Sequence, residues 1–251
     1  MAVPSDWWQT FFTGVMVDLW LQVMPEEQTR QEADFLERVL RPPPGGRLLD
    51  VPCGGGRHAL ALAARGYQMT GVDLAPDFLT RAHAETEQRH LEIDWQQRDM
   101  RDLPWRQEFD AAYCFGNSFG YLDDDGNAAY VQAVARCLKP GRRFALETGM
   151  AAESLLPNLV ERRWFQIGDA YWLMQNRYDH TQGRYEQEST VIRDGRIERR
   201  AYSQRIYTYR ELIRLFEGAG LEGVEGCAGL NQEPYRLGSP RLFLTATRRG
   251  E

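Results

Sequence analysis

Residues 48–58 read LLDVPCGGGRH, and their reading decides the fold. A short apolar run ends in an acid and a proline, and three glycines follow in a row. Glycine permits tight turns and lets the backbone approach a ligand closely. The run at 47–51 predicts a buried strand, and HALALAARG (58–66) predicts a helix closed by Gly66. A loop that leaves a strand and opens a helix offers backbone N–H groups, and the helix start favours a negative ligand group.

Outward from this loop, strands and helices alternate. YQMTGVD (67–73) predicts a second strand, and Pro76 suits the first turn of a helix running to about Gln88. Residues 91–98 predict a third strand, FDAAYCF (109–115) a fourth, and RFALET (143–148) a fifth. A helix is expected over Asn127–Leu138, with a turn at Lys139-Pro140-Gly141. This alternation predicts an α/β protein with a parallel sheet covered on both faces. After residue 149 the pattern changes. AAESLLPNLV predicts a helix that Pro157 ends. Aromatic and arginine-rich segments follow, with turn signals at Gly168-Asp169, Thr181-Gln182-Gly183 and Asp194-Gly195. Such signals predict an antiparallel sheet inserted into the α/β domain. Thr208 to Glu211 is a capping box for a last helix, and LEGVEGCAG and PRLFLTAT predict two closing strands.

Upstream, Thr29 to Glu32 also has the letters of a capping box, ahead of the apolar positions Ala33, Leu36, Val39 and Leu40. Residues 1–25 concentrate Trp7, Trp8, Phe11, Phe12 and Trp20. They read either as core packing or as a lid whose aromatic faces attract a cationic ligand. The expected organisation is a helical cap at 1–46, a Rossmann-like domain at 47–148 and 208–251, and an antiparallel insertion at 149–207.

Composition limits the function. With 30 basic against 36 acidic residues the net charge is −6, which disfavours a nucleic-acid partner. Cys53, Cys114, Cys137 and Cys227 form no C-x-x-C pair, so neither a disulfide framework nor a zinc set is implied, and reduced thiols in a cytoplasmic protein are expected. No stretch reaches the ~20 apolar residues of a membrane helix, and the N-terminus lacks a signal-peptide pattern. The Asp123-Asp124-Asp125 run lacks the ladder of a calcium loop and reads as a helix start, so no metal is expected.

Gly54-x-Gly56-x-x-Ala59 matches a dinucleotide fingerprint by letters. Three details favour another ligand. Asp50, ahead of the glycines, would repel a pyrophosphate but suits an ammonium or a sulfonium. Asp73, at the tip of the second strand, can accept from both hydroxyls of a ribose. Asp99 can accept from an adenine amino group, while Met100 or Leu74 covers a purine face. The set suits an adenosine joined to an amino acid.

Together with RDMRDLPW, FDAAYCFGNSFGYLDDD, CLKPGRRFALET and RIYTYRELIRLFEGAGL, this stretch resembles the class I S-adenosylmethionine-dependent methyltransferases, in the branch acting mostly on small molecules. The resemblance covers roughly 47–148 and 205–247. It implies a seven-stranded sheet and a cofactor, S-adenosyl-L-methionine, converted to S-adenosyl-L-homocysteine. It places Asp50, Cys53, Gly54 and Gly56 around the methionine end, Asp73 on the ribose, and Leu74, Asp99 and Met100 at the adenine. Phe115 to Asn117 fall beside the transferring methyl. Pro52 departs from the family's usual glycine and supplies no N–H.

For the acceptor, a small molecule methylated on O, N or C, the candidates are Asn117, Ser118, Tyr121 and Glu147, with Tyr178, Arg205 and Tyr207 from the insertion. Trp7, Trp8 and Phe11 are the lid candidates. The insertion arginines read as a solvated face or an anion site, and His58 as packing or capping. A monomer or homodimer is expected. The rival readings are a nicotinamide-dependent oxidoreductase and a non-catalytic partner subunit that keeps the fold.

Overall fold

The computed structural model describes residues 3–250. The outermost parts of the expected cap and Rossmann-like segments, residues 1–2 and 251, lie outside the described residues. Two short helices, α1 (Trp8–Phe11) and α2 (Val15–Gln22), precede α3 (Glu26–Leu40). The capping box expected at Thr29 is overturned. Helix α3 starts a turn earlier, after the extended Pro25, with Glu26 and Glu27 in its first turn, where acids suit the helix dipole. Thr29 and Glu32 are therefore interior to the helix, and their side chains serve the site instead.

The alternation then runs β1 (Arg47–Asp50), α4 (Arg57–Ala63), β2 (Gln68–Asp73), α5 (Pro76–Gln88), β3 (Ile93–Gln97), β4 (Phe109–Cys114), α6 (Asp124–Cys137) and β5 (Leu138–Thr148). Helix α6 begins before Asn127, because the Asp123 carboxylate caps it, accepting from the Gly126 amide at 2.7 Å. Strand β5 takes in Lys139 to Gly141, where its pairing with β4 shifts register. Helix α7 (Ala152–Leu155) is one turn that passes at Pro157 into a 3-10 turn.

Strands β6 (Arg162–Ile167), β7 (Ala170–Asp179), β8 (Arg184–Arg193) and β9 (Arg196–Arg205) form the inserted antiparallel sheet, with turns at the expected Gly-containing positions. Helix α8 (Tyr209–Gly218) carries the Thr208 capping box with both reciprocal bonds present, and β10 (Leu221–Cys227) and β11 (Leu242–Arg248) close the chain.

The main sheet has the order β10-β11-β5-β4-β1-β2-β3. β1 to β5 are parallel, whereas β11 runs antiparallel to both β5 and β10. Both faces are covered, which is why these strands read as continuous apolar runs. Leu48, Met69, Ala111 and Ala145 pack under α3, α4 and α5, whereas Leu49, Val72, Ala112 and Phe144 pack with Tyr130 of α6 and Phe216 of α8. A third cluster joins Trp7, Phe11, Met16 and Leu19 to Trp172 and Val191 of the inserted sheet. No helix of the described residues is long and apolar enough to cross a membrane.

Candidate functional site

A cavity of about 1100 Å³ opens at the carboxyl edge of the parallel strands. Its lining gathers the loop after β1 (Pro52 to Gly55), the tip of β2 (Asp73, Leu74), the turn after β3 (Asp99, Met100) and the turn after β4 (Phe115 to Ser118). Helix α2 roofs it with Trp20 and Leu21. Small-molecule sites run from ~300 to ~1000 Å³, so the cavity is large enough for a sizeable ligand.

Strand direction explains the cluster. Each parallel strand delivers its last side chains to the same edge. Asp73 is nearly buried there, and its two oxygens accept from the Gly54 amide at 2.7 Å and the Ala75 amide at 2.9 Å. Burial raises its pKa and these amides oppose the rise. Gly54 has φ +53°, and a Cβ on Gly56 would lie 2.2 Å from the Trp95 ring. Gly56 is thus required by the indole beneath it and does not line the cavity. A Cβ on Gly55 would meet Leu21 at 2.4 Å, so the roof closes directly onto the loop. The Val51–Pro52 peptide is cis.

Asp50 sits one layer behind the cavity lining. It is buried, its Oδ2 has no hydrogen-bond partner, and burial pushes its pKa up to about 8, with the Tyr113 hydroxyl and Arg57 pulling the other way. Asp99 lines the cavity with both oxygens engaged by Arg101, at 2.9 Å from Nε and 2.6 Å from Nη2, which holds its pKa down. Cys53 also lines the cavity, its thiol pushed up by burial and by Asp73.

The acceptor candidates divide. Asn117, in a left-handed conformation, lines the cavity, but its Oδ1 accepts from the Gly149 amide and its carbonyl accepts from Gln204 Nε2 at 2.7 Å. Its side chain braces its own loop. Tyr121 and Ser118 line the cavity, and Tyr121 packs edge-on against Trp7 at 4.8 Å. Glu147 is 1% exposed and behind the lining. Its Oε2 accepts from the Gly116 amide at 2.9 Å, and burial raises its pKa. Trp8 and Phe12 reach the cavity.

Five expected lining residues do not reach it, and these placements are corrected. Trp7 and Phe11 are 3% and 2% exposed and pack inward against Tyr202. The Tyr207 hydroxyl donates to Asp124 of α6 at 2.7 Å, and Arg205, the last residue of β9, bridges Asp124 of α6 and Glu211 of α8. Tyr178 lies opposite Tyr185 far along β7. Four other insertion arginines are also engaged. Arg177 pairs with Glu186, Arg193 with Asp169 and Asp18, and Arg200 with Glu198. Arg184 donates to the Tyr121 and Leu122 carbonyls, bracing a wall of the cavity.

The sequence reading missed a charged cluster at the β4–β5–β11 end. Glu32, 2% exposed, lies 2.8 Å from His58 Nε2, 2.5 Å from Arg57 Nη1 and 3.8 Å from Arg241 Nη1. Burial works against ionisation of Glu32, but His58, Arg57 and Gln28 outweigh it and hold its pKa at about 2. His58 is lowered to about 4, by burial first and by the Arg57 charge, so it is neutral at pH 7 and donates Nε2–H to Glu32. Arg57, His58 and Arg241 line the cavity. The letters Thr29 to Glu32 concealed this cluster by suggesting a cap.

Residues 48–141 match the family profile described as a methyltransferase domain. The chain is 36% identical over 107 residues to the ubiquinone biosynthesis O-methyltransferase of Xanthomonas campestris pv. campestris, covering 42% of this chain and 44% of that protein. It thus spans less than half the length of this curated relative. Among solved structures it superposes on the CcbJ methyltransferase from Streptomyces caelestis with TM-score 0.81 at 17% identity, covering 96% of this chain and 99% of that one. It superposes on the sugar N-methyltransferase KedS8 from Streptoalloteichus sp ATCC 53650 with TM-score 0.71 at 23% identity, covering 100% and 99%. Residues 48–141 therefore match a methyltransferase domain, and the chain has the seven-stranded Rossmann-like fold of these solved methyltransferases.

Proposed function

We propose that this chain transfers a methyl group from S-adenosyl-L-methionine to a small-molecule acceptor. The observation that carries the reading is one cavity that brings Gly54, Asp73, Leu74, Asp99 and Met100 together at the ends of three adjacent parallel strands. Asp73 would hold the ribose, Leu74 and Met100 the adenine faces, and Asp99 the adenine edge. Asp50, buried behind the loop with a raised pKa, would be drawn towards its ionised form by a nearby positive charge and away from it by a pyrophosphate, which favours the cationic cofactor. When bound, the cofactor supplies the methyl on a sulfonium, already a good leaving group.

The protein's task is alignment and exclusion of water. The α2 roof and the aromatic walls Trp8, Phe12 and Tyr121 shield the reacting space. Phe115 and Gly116, after β4, line the side that faces the acceptor. With its Nε2–H given to Glu32, neutral His58 keeps its other ring nitrogen as a hydrogen-bond acceptor. The relatives named above act on different acceptors, by their names a ubiquinone precursor through oxygen and a sugar through nitrogen, so the acceptor atom is left open. The four free thiols suit a reducing, cytoplasmic setting.

Calorimetry with S-adenosylhomocysteine against NADH tests the reading. Micromolar binding of the first and none of the second is expected. Asp73→Ala should weaken S-adenosylhomocysteine about 100-fold, since hydrogen bonds to a charged group contribute ~1.5–3 kcal/mol each. Binding of NADH alone, or unchanged affinity in a folded Asp73→Ala, would sink it.

A further inference from the structure

We propose that Arg241 is the anchor for an anionic group, a carboxylate, on the methyl acceptor. This rests on the methyl-transfer reading and names a property of its substrate.

Arg241 closes the loop between β10 and β11, one residue before β11 begins. The strand register places it. Phe243 lies opposite Glu147, so Arg241, two residues earlier, is the diagonal neighbour of Glu147 on the same face. A long side chain spans that diagonal, and Nη1 comes 3.3 Å from Glu147 Oε1 and 3.8 Å from Glu32 Oε1. Both carboxylates are almost fully buried and belong to elements packed in the core, β5 and α3. They fix the guanidinium from behind.

The rest of the guanidinium is unspent. Its two charge contacts use the same nitrogen, and among the described residues neither Nε nor Nη2 makes a hydrogen bond. The side chain is one-third exposed and lines the cavity. It also borders a second, shallower groove with Gln28, Leu230 and Phe243. A guanidinium carries five donors in a planar fork that matches a carboxylate with two parallel bonds. The neighbouring cation is held more closely: Arg57 Nη1 donates to Thr29 at 3.0 Å and lies 2.5 Å from Glu32, whereas Arg241 comes no nearer than 3.3 Å to either carboxylate. Glu32 is saturated by Arg57, His58 and Gln28, so it has little capacity left to neutralise Arg241.

The anion has two possible sources, the acceptor or the amino-acid end of the cofactor. Topology favours the acceptor. The cofactor residues stand at the ends of β1, β2 and β3, whereas β11 lies on the other side of β4 and beyond β5. Arg241 therefore reaches the cavity from the flank opposite the nucleotide.

The test uses benzoate and benzamide, which share a shape and differ in charge, titrated by calorimetry into the full chain saturated with S-adenosylhomocysteine. Benzoate is expected to bind at least ~10-fold tighter, the effect of one charge-assisted pair. Arg241→Met should abolish that preference and leave S-adenosylhomocysteine affinity within ~2-fold. Equal affinities in the wild-type chain, no measurable benzoate binding, or a preference that survives Arg241→Met overturns the proposal. A loss of S-adenosylhomocysteine affinity in Arg241→Met also overturns it, by assigning the arginine to the cofactor. If the Met variant does not fold, Arg241→Lys and the wild-type comparison still decide. Failure of the wild-type chain to bind S-adenosylhomocysteine at all would instead defeat the underlying methyl-transfer reading.

Discussion

The two ends of the cavity are built on different plans. At the β1–β2–β3 end, the cavity lining comes from short sequence-local loops, and backbone amides such as those of Gly54 and Ala75 fix Asp73. At the β4–β5–β11 end, the polar groups come from α3, α4, β5 and the segment before β11, and side chains hold one another. The first plan suits a ligand shared by many proteins, because a loop and its strand travel together as one unit. The second is free to vary residue by residue, as a changing acceptor requires.

The sharpest way to break this contrast is Glu32→Gln. If the acceptor end is held by side chains, removing one buried charge that serves His58, Arg57 and Arg241 should cost about 3 kcal/mol by chemical denaturation. S-adenosylhomocysteine affinity should barely move. A comparable loss of cofactor affinity would mean the two ends are one network.

Titration sharpens the same contrast. Asp50 has a folded pKa of about 8, above its unfolded value, so its contribution is full in acid and is lost as pH rises towards 8. His58 has a folded pKa of about 4, below its unfolded value, so its contribution is present above pH ~6.5 and is lost as pH falls towards 4. The two slopes oppose each other between pH 4 and 6.5. Asp50→Asn should therefore steepen the rise of unfolding free energy with pH over that window, by up to about 1.4 kcal/mol per pH unit, as read by chemical denaturation. An unchanged profile would mean that Asp50 is ionised in the folded chain.

The smallest expected effect is that of Tyr178→Phe. Tyr178 lies outside the cavity, so stability and S-adenosylhomocysteine affinity should stay within about 0.5 kcal/mol of wild type. A larger change in affinity would bring the inserted sheet back into the site.

The same contrast explains what the sequence disclosed. The β1 loop, Asp73, Asp99 and the sheet were legible because each is a local pattern: a strand, a turn residue and a helix start. Glu32 was misread because Thr29 to Glu32 has the letters of a cap, while the competing signal, Pro25 followed by two acids, set the helix start. Arg241 gave no local signal, since only the β5–β11 register brings it to Glu147. Tyr207 and Arg205 looked like pocket residues by position along the chain. Asp124 and Glu211 draw them to the helices instead.

One consequence concerns Asp18. This side chain of the roof helix reaches Arg81 on α5 at 3.2 Å and Arg193 on β8 at 3.4 Å. A single carboxylate thus moors the ceiling to both α5 and the inserted sheet. Any outward movement of that ceiling would stretch both ion pairs at once, so its freedom would depend on how firmly the inserted sheet is tethered.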